Sequence, residues 1–517
     1  SGSFALFLPE SGEAVRLSLA THRPSSDDGY FMLTLSPGEV TGSTMPRDLT
    51  AVIDVSGSMS GEKMEQTRRA IVQLLGALGP DDRFRLISFS SAVTSYRPGW
   101  TRAVPDELAE ARRWVATLRA SGGTNIEGAL DEAFRAETPA DRLPIVVFLT
   151  DGIPTVGERD PEAIADRADQ SRGRARVFAF GVGYDVNTYL LDRLTVAARG
   201  TVEYVEPAED VEHAVGLLAA AVRHPVLADL VIERIPGQVR KIYPTRLPDL
   251  FAGQAVTIFG RYATEASGPV TIAGTREGRA VSFDAEGAFP LHALENDFIP
   301  RLWAARRIGE LTREARLHGP DPELIEEIRE TALRYGILTE YTSHLVLEPG
   351  VVAGVRPEAL PRHPPVGGDQ AAGGAGGRAA AAVSGKIAFT VARASGMARA
   401  AQSASDVVQM EAAVADAAGA PGERSDLQVV GGRGFVLHQG VWIDRMHADD
   451  ARTVQIEAFS PAWFQLAEAL PELRQWWSRL SPVVVAGREV SLAVGDEGAT
   501  ELSAAELQRI VSAFRAP

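Results

Sequence analysis

The period of the hydrophobic positions changes several times along the chain, and each change marks a change of architecture. AVRLSLA (14–20) and YFMLTLSP (30–37) alternate apolar and polar residues, the period of a half-buried strand, with the turn-forming SSDDG (25–29) between them. Two or three strands over 1–45 cannot bury a core unaided, so they need partners from elsewhere in the chain. From 46 to 222 short apolar runs alternate with helical patterns. DLTAVIDVS (48–56), RFRLISFS (83–90), LPIVVFLTDG (143–152), RVFAFGVG (176–183) and VEYVEP (202–207) read as strands. EKMEQTRRAIVQLLGALG (62–79) sets Met64, Thr67, Ile71, Leu74, Leu75 and Leu78 on one helical face and stops at Gly79. Further helices are expected over 105–119, 122–137, 161–173, 186–199 and 210–222. This alternation predicts an α/β domain with a doubly wound, Rossmann-like parallel sheet, which takes ligands beyond the carboxyl ends of its strands.

Residues 223–296 return to strand patterns (LADLVIERI, VTIFGRYA, PVTIAG, RAVSFDA) and are expected to form a β-rich domain that pairs with 1–45. The α/β unit would then be an insertion in a β-rich domain, which its neighbouring termini permit. Residues 297–349 switch to a helical hairpin, broken at GPD (319–321) with Pro322 near N1, and a closing strand HLVLEP (344–349). Residues 350–426 read as linker. A Pro-rich then Gly/Ala-rich stretch over 350–385 is flexible in composition, 386–418 is one helix with the stripe Val407, Met410 and Val414, and AGAPGERSD (418–426) is a loop. Residues 427–517 predict a small α/β C-terminal domain, with a helix over 461–479 and a final one over 503–514.

Composition narrows the function classes. The 517 residues are 45% hydrophobic and 23% charged, ordinary for a globular chain of several domains. No apolar run approaches the ~18–20 residues that cross a bilayer, so no transmembrane segment is expected. A net charge of −16 argues against nucleic acid as a partner. The absence of cysteine removes disulfides, zinc–thiolate sites and thiol nucleophiles, and the nine histidines form no metal-ligand spacing. The opening SGSFALFLPE has neither a basic n-region nor an apolar h-region, and the N-terminus reads as truncated.

The chemistry-bearing pattern is D-x-S-x-S in DVSGSMSG: Asp54, Ser56 and Ser58, where a buried strand runs into a helix. Thr124 in GGTNI and Asp151 in FLTDG stand at analogous loop tops. A hard cation such as Mg²⁺ takes about six oxygens at ~2.0–2.1 Å, and hydroxyls and carboxylates from three neighbouring strand-end loops can supply part of that shell. Neutral hydroxyls leave the ion under-neutralised and open to an incoming carboxylate. A serine in a turn ordinarily caps a helix; here Asp54, Thr124 and Asp151 agree with the serines in order and in context. GSMSG is no nucleophile elbow, because the central position of G-x-S-x-G holds Met59. A Mg²⁺-dependent phosphohydrolase would commonly place a second acid two residues after the first, where this chain has Ser56, and there is no P-loop.

DVSGSMSG, GGTNI and TDG, in that order, resemble the metal-ion-dependent adhesion site (MIDAS) of von Willebrand factor type A domains, and all five positions match. The resemblance implies that Ser56 and Ser58 bind Mg²⁺ directly, that Thr124 does so in ligand-competent states, and that Asp54 and Asp151 act through water. Mn²⁺ and Ca²⁺ are alternatives. GYFMLTLSPGE, YPTRLPDLFAGQAVTIFGRY (243–262), RLWAARRIGEL (301–311) and YGILTEYTSHLVLEP (335–349) resemble the VIT region and the segment after the A domain in VIT/von Willebrand A proteins, which are inter-alpha-trypsin inhibitor heavy-chain-like. The VIT part, 1–45, looks truncated. The Ala/Gly/Arg bias of the linkers suggests a bacterial member, and the resemblance favours an extracytoplasmic location.

The expected function is therefore non-enzymatic: a metal-dependent protein–protein interaction or adhesion module that binds an Asp or Glu of a protein ligand. The alternative is a structural scaffold whose metal site is capped from within a homo-oligomer or hetero-assembly, and the remote alternative is the Mg²⁺-dependent phosphohydrolase. Trp303 and Trp442 read as core. Trp476 and Trp477, adjacent on one helix, are expected to leave one ring exposed as an interface candidate.

Overall fold

Val15–His22 (β1) and Gly29–Pro37 (β2) pair antiparallel, Val15 opposite Pro37 and His22 opposite Tyr30. The computed structural model describes residues 15–24, 28–38, 45–342, 384–417 and most of 427–515. The expected closing strand (344–349), the linker over 350–383 and the loop 418–426 lie outside the described residues.

The α/β unit begins with Arg47–Asp54 (β3), buried at every position, and runs through Glu62–Gly76 (α1), Arg83–Phe89 (β4), Val93–Ser95 (β5) and Thr101–Arg102 (β6). Pro105–Thr117 (α2), Ile126–Phe134 (α3), the fully buried Leu143–Thr150 (β7) and Pro161–Ser171 (α4) follow. Arg176–Val182 (β8), Thr188–Val196 (α5), Val202–Val205 (β9) and Val211–Ala221 (α6) complete it. The sheet order is β5-β4-β3-β7-β8-β9, with β6 also on β4. β4, β3, β7, β8 and β9 are parallel, as the apolar runs imply. β5 and β6 are antiparallel, a correction to the all-parallel expectation. The chain reverses from β4 within Ser90–Ala92, too short for a crossover, so only antiparallel pairing is open to it. α1, α2 and α6 cover one face of the sheet, and α3, α4 and α5 the other.

The chain then forms Pro225–Arg234 (β10), Val239–Tyr243 (β11), Leu250–Phe251 (β12), Val256–Tyr262 (β13), Ala266–Arg276 (β14) and Arg279–Phe289 (β15). β13 pairs with β2, Leu33 opposite Ile258, so the strands before and after the α/β unit share one sheet, β1-β2-β13-β11. A second sheet, β12-β10-β14-β15, packs on it through Phe31, Leu33, Leu35, Ile258 and Phe289. The other face of the first sheet carries Tyr30 and Phe259 into a helical layer. That layer contains Ile299–His318 (α7) and Pro322–Tyr335 (α8), the latter started by Asp321 and stopped by Gly336 in the left-handed conformation.

Residues 386–418, expected as one helix, form two: Lys386–Ala400 (α9) and Ala404–Ala417 (α10). Asp406 Oδ2 accepts from Gln402 N at 2.7 Å and Ser403 N at 2.8 Å, so a side chain takes amides that a continuous helix would use. Trp303 is buried in this layer, where its Nε1 donates to Lys241 O at 2.9 Å.

The C-terminal unit has strands Leu427–Val430 (β16), Arg433–His438 (β17), Val441–Asp444 (β18) and Thr453–Glu457 (β19), and helices Pro461–Ala469 (α11) and Leu473–Trp477 (α12). Val483–Ala486 (β20), Ser491–Gly495 (β21) and Ala504–Phe514 (α13) complete it. Its sheet order is β16-β17-β18-β20-β21-β19. The helix expected over 461–479 divides at Pro471, which cannot donate an amide to a continuing turn. The expectation of an exposed ring at Trp476 or Trp477 is corrected: both are buried. Trp476 Nε1 donates to Val430 O at 2.8 Å, and Trp477 lies 5.4 Å from the Trp463 ring. Both rings join Leu473 on the side that enters the core of the unit, and Arg474 takes the exposed side.

Candidate functional site

Asp54 closes β3, and Asp151 follows directly on β7, its parallel neighbour, with Ile53 opposite Leu149. After β3 the chain enters α1 on one face of the sheet; after β7 it enters α4 on the other. The loops therefore diverge and leave a crevice at the carboxyl ends, where doubly wound sheets place ligands.

Four of the five expected residues meet there by direct hydrogen bonds. Asp54 Oδ1 accepts from Ser56 N at 2.8 Å, and Asp54 Oδ2 accepts from Thr150 Oγ1 at 2.6 Å. Ser56 Oγ and Ser58 Oγ are 3.1 Å apart, and Ser58 Oγ donates to Asp151 Oδ1 at 2.7 Å. Ser56 precedes the short 3-10 turn Gly57–Met59 without using its hydroxyl as a cap, and Gly61, just before α1, gives that helix no side-chain cap. The ordinary capping role of a turn serine is thus not what these hydroxyls do. Ser60 does the local work instead, donating to Gly57 O at 2.6 Å.

Thr124 arrives on the loop before α3. Gly57 N donates to Gly122 O at 3.0 Å, tying that loop to the serine loop. Gly123 N donates to Ser91 Oγ at 2.8 Å, and Thr124 N to Thr155 Oγ1 at 2.7 Å. A side chain at Gly152 would begin 3.5 Å from Thr124 Oγ1 and 3.9 Å from Ser58 Oγ, so both hydroxyls border that position. Asp54, Ser56, Thr124 and Asp151 are buried, while Ser58 is exposed at the mouth.

Burial pushes the Asp54 carboxyl up to about 6; hydrogen bonds from Thr150 and Ser56 oppose this, and the Asp151 charge adds to it. The residues that sequence reasoning missed are Thr150, Ser91, Thr155 and Lys63, whose Nζ lies 2.6 Å from Asp151 Oδ2. Thr150 was legible in the LTDG run as the neighbour of Asp151. No local pattern marks Lys63 or Ser91, which reach the site only by tertiary packing. Among the described residues, no group of three or more histidines and carboxylates is placed to hold a metal, so a cation here would depend on the hydroxyls. A cavity of about 400 Å³ lined by Arg97, Trp100, Arg102 and Glu107 lies beside β6, which pairs with the start of β4, the end of the sheet opposite the carboxylates.

Residues 47–204 match the family model for the von Willebrand factor type A domain. With the fold above, this stretch is a von Willebrand factor type A domain. The chain that carries it is similar to inter-alpha-trypsin inhibitor heavy chains. It is 31% identical over 349 residues to inter-alpha-trypsin inhibitor heavy chain H4 of Homo sapiens, covering 62% of this chain and 37% of that protein. It is 29% identical over 348 residues to heavy chain 4 of Mus musculus, covering 62% and 36%. The chain thus spans little more than a third of these curated relatives, which are animal proteins, so the bacterial expectation rests on composition alone. A solved structure described as von Willebrand factor type A from Catenulispora acidiphila aligns with a TM-score of 0.46 at 18% identity, covering 64% of this chain and 89% of that one. Among the described residues, no helix is long and apolar enough to cross a membrane.

Proposed function

We propose that the chain is a non-enzymatic, divalent-cation-dependent protein-binding module, in which Ser56, Ser58 and Thr124 hold Mg²⁺ and Asp54 and Asp151 orient its waters. Mn²⁺ and Ca²⁺ are the alternatives. The observation that carries this reading is the convergence of two carboxylates and two serine hydroxyls at the point where β3 and β7 part. The 3.1 Å separation of the Ser56 and Ser58 hydroxyl oxygens supports it. Neighbouring ligands of an octahedron with ~2.05 Å bonds stand about 2.9 Å apart. The hydroxyl of Ser58 already directs its proton to Asp151, which leaves its lone pairs for a cation. When bound, the cation supplies an electrophilic corner for a carboxylate of a protein partner. Asp54, locked by Ser56 N and Thr150, contributes charge without freedom to move.

The partner is a protein presenting Asp or Glu. The net charge of −16 opposes long-range capture of an acidic partner, so recognition depends on the local site. Likeness to the heavy chains also supports a VIT-type reading of the β1–β2/β10–β15 sandwich. The test is a pull-down from lysate of the source organism with the full chain, in Mg²⁺ and in EDTA, beside Asp54→Ala. Partner should be retained by the parent in Mg²⁺ alone, and Asp54→Ala should lose it with an unchanged circular dichroism spectrum. Retention by a folded Asp54→Ala would refute the mechanism. If EDTA instead changes the oligomeric state of the chain in gel filtration, the site is capped from within the assembly.

A further inference from the structure

Lys63 stands in the first turn of α1, where the helix dipole disfavours a cation, and the neighbouring acids Glu62 and Glu65 are what that end ordinarily carries. Its Nζ is spent on a distant partner: it lies 2.6 Å from Asp151 Oδ2, whose side chain is 0% exposed. The other oxygen of the same carboxylate accepts from Ser58 at 2.7 Å. Asp151 is thus shared between the hydroxyl cluster and an ammonium. The Lys63 side chain itself is 34% exposed, so it can be met from solvent. Gly183, at φ 81°, keeps the space beside it clear; a side chain there would begin 3.7 Å from Nζ.

Charge accounting gives this arrangement a consequence, which rests on the cation site proposed above. Asp54 and Asp151, both ionised, and Lys63 together carry one negative charge. A divalent ion turns that into one positive charge, which a single partner carboxylate cancels. Without Lys63, the loaded site would already be neutral before any partner arrived.

We propose that Lys63 is the built-in counter-charge of the site: it neutralises Asp151 when no divalent ion is held, weakens uptake of the ion, and leaves the loaded site with the net positive charge that selects an acidic partner. Lys63 acts through Asp151 and is a positioning and specificity residue.

The test compares the full-length parent with Lys63→Met, which keeps the stem and removes the charge, and with Lys63→Arg, which keeps the charge. Calorimetric titration with Mg²⁺ alone should show Lys63→Met binding about tenfold more tightly, because a like charge one carboxylate away is gone, and Lys63→Arg near the parent. Acetate titrated into the Mn²⁺-loaded proteins, followed by water-proton relaxation, should bind Lys63→Met several-fold more weakly. In EDTA, Lys63→Met should melt below the parent, since a buried carboxylate has lost its partner, and Mg²⁺ should narrow that gap. Mg²⁺ uptake by Lys63→Met no tighter than by the parent would overturn the counter-charge role. Tighter Mg²⁺ with undiminished acetate binding would overturn the selection of acidic partners. A flat Mg²⁺ and Mn²⁺ titration of the parent would overturn the cation site itself, and this inference with it, a result told apart because the parent alone reveals it.

Discussion

Asp54 contributes to the pH dependence of the metal-free chain's stability. Its carboxyl is raised from an ordinary 3.8 to about 6, chiefly by burial, so the native state holds that proton more tightly than the unfolded state does. Between those values the folded chain binds more protons, and this group's contribution to stability falls as pH rises, levelling off above about 6. The change amounts to about 3 kcal/mol at most, because each tenfold difference in proton affinity is worth ~1.4 kcal/mol. Urea denaturation in EDTA at pH 4.5 and pH 7 should therefore show the change in stability shifted further toward loss at pH 7 in the parent than in Asp54→Asn. Gly200 makes a prediction of a different kind. A Cβ there would stand 1.8 Å from Val177 O, a backbone atom that cannot swing aside. Gly200→Ala should destabilise the α/β domain by more than ~3 kcal/mol or prevent folding, read by thermal melts. At this scale the sequence was legible where residues sit in a strand-end motif, as with Asp54 and Asp151. It was silent on Lys63, whose role arises from packing across the sheet.

Among the elements, α9 illustrates how a segment that reads as linker becomes structural. It lies along β9, the edge strand of the α/β sheet, and an uncovered edge is a hazard for association. Phe389 is fully buried between Tyr184 and Tyr204, at 5.1 and 5.6 Å between ring centroids. Gly385 N donates to Tyr184 O at 2.8 Å, and Arg393 pairs with Glu206 and Glu209 at 2.7 and 2.6 Å. Phe389→Ala should cost about 3–5 kcal/mol, and limited proteolysis should then cut within 384–400 before the rest of the chain. Protection equal to the parent would show that the remaining contacts hold α9 without Phe389. The Ala-rich sequence marked a helix; it could not mark which surface that helix would cover.

Across the whole molecule, the inserted domain is fixed to its base by buried charge. Arg176, the first residue of β8, donates through Nε to Asp249 at 2.6 Å and through Nη2 to Asp229 at 2.8 Å. On the helical side, Arg316 of α7 pairs with Asp192 of α5, which also accepts from Tyr204 Oη at 3.2 Å. Removing Arg176 strands the Asp249 carboxylate, whose side chain is 1% exposed, whereas removing Asp249 leaves Arg176 its pair with Asp229. Arg176→Met should therefore cost about 3–5 kcal/mol, with much of it recovered in the Arg176→Met, Asp249→Ala double variant, measured by denaturant titration. The C-terminal unit behaves differently, because among the described residues its core draws only on those between Val430 and Phe514. Residues 427–517 made alone should melt cooperatively at the temperature of a separate transition in the full chain; failure to fold would show that the core depends on the rest.

The hydrophobic period by itself determined the α/β class and the order of the parallel strands and the helices over 46–222, because periodicity is a local property of the chain; the short antiparallel β5 and β6 escaped it. It also placed the motif residues at strand ends, for the same reason. What only the tertiary structure decided is which side chains complete one another across long separations. It brought Lys63 to Asp151, Arg176 to Asp249 and Phe389 to Tyr204, and it covered both rings of Trp476 and Trp477. Charge pairing and burial depend on distance in space, and the spacing of residues along a chain does not carry that distance.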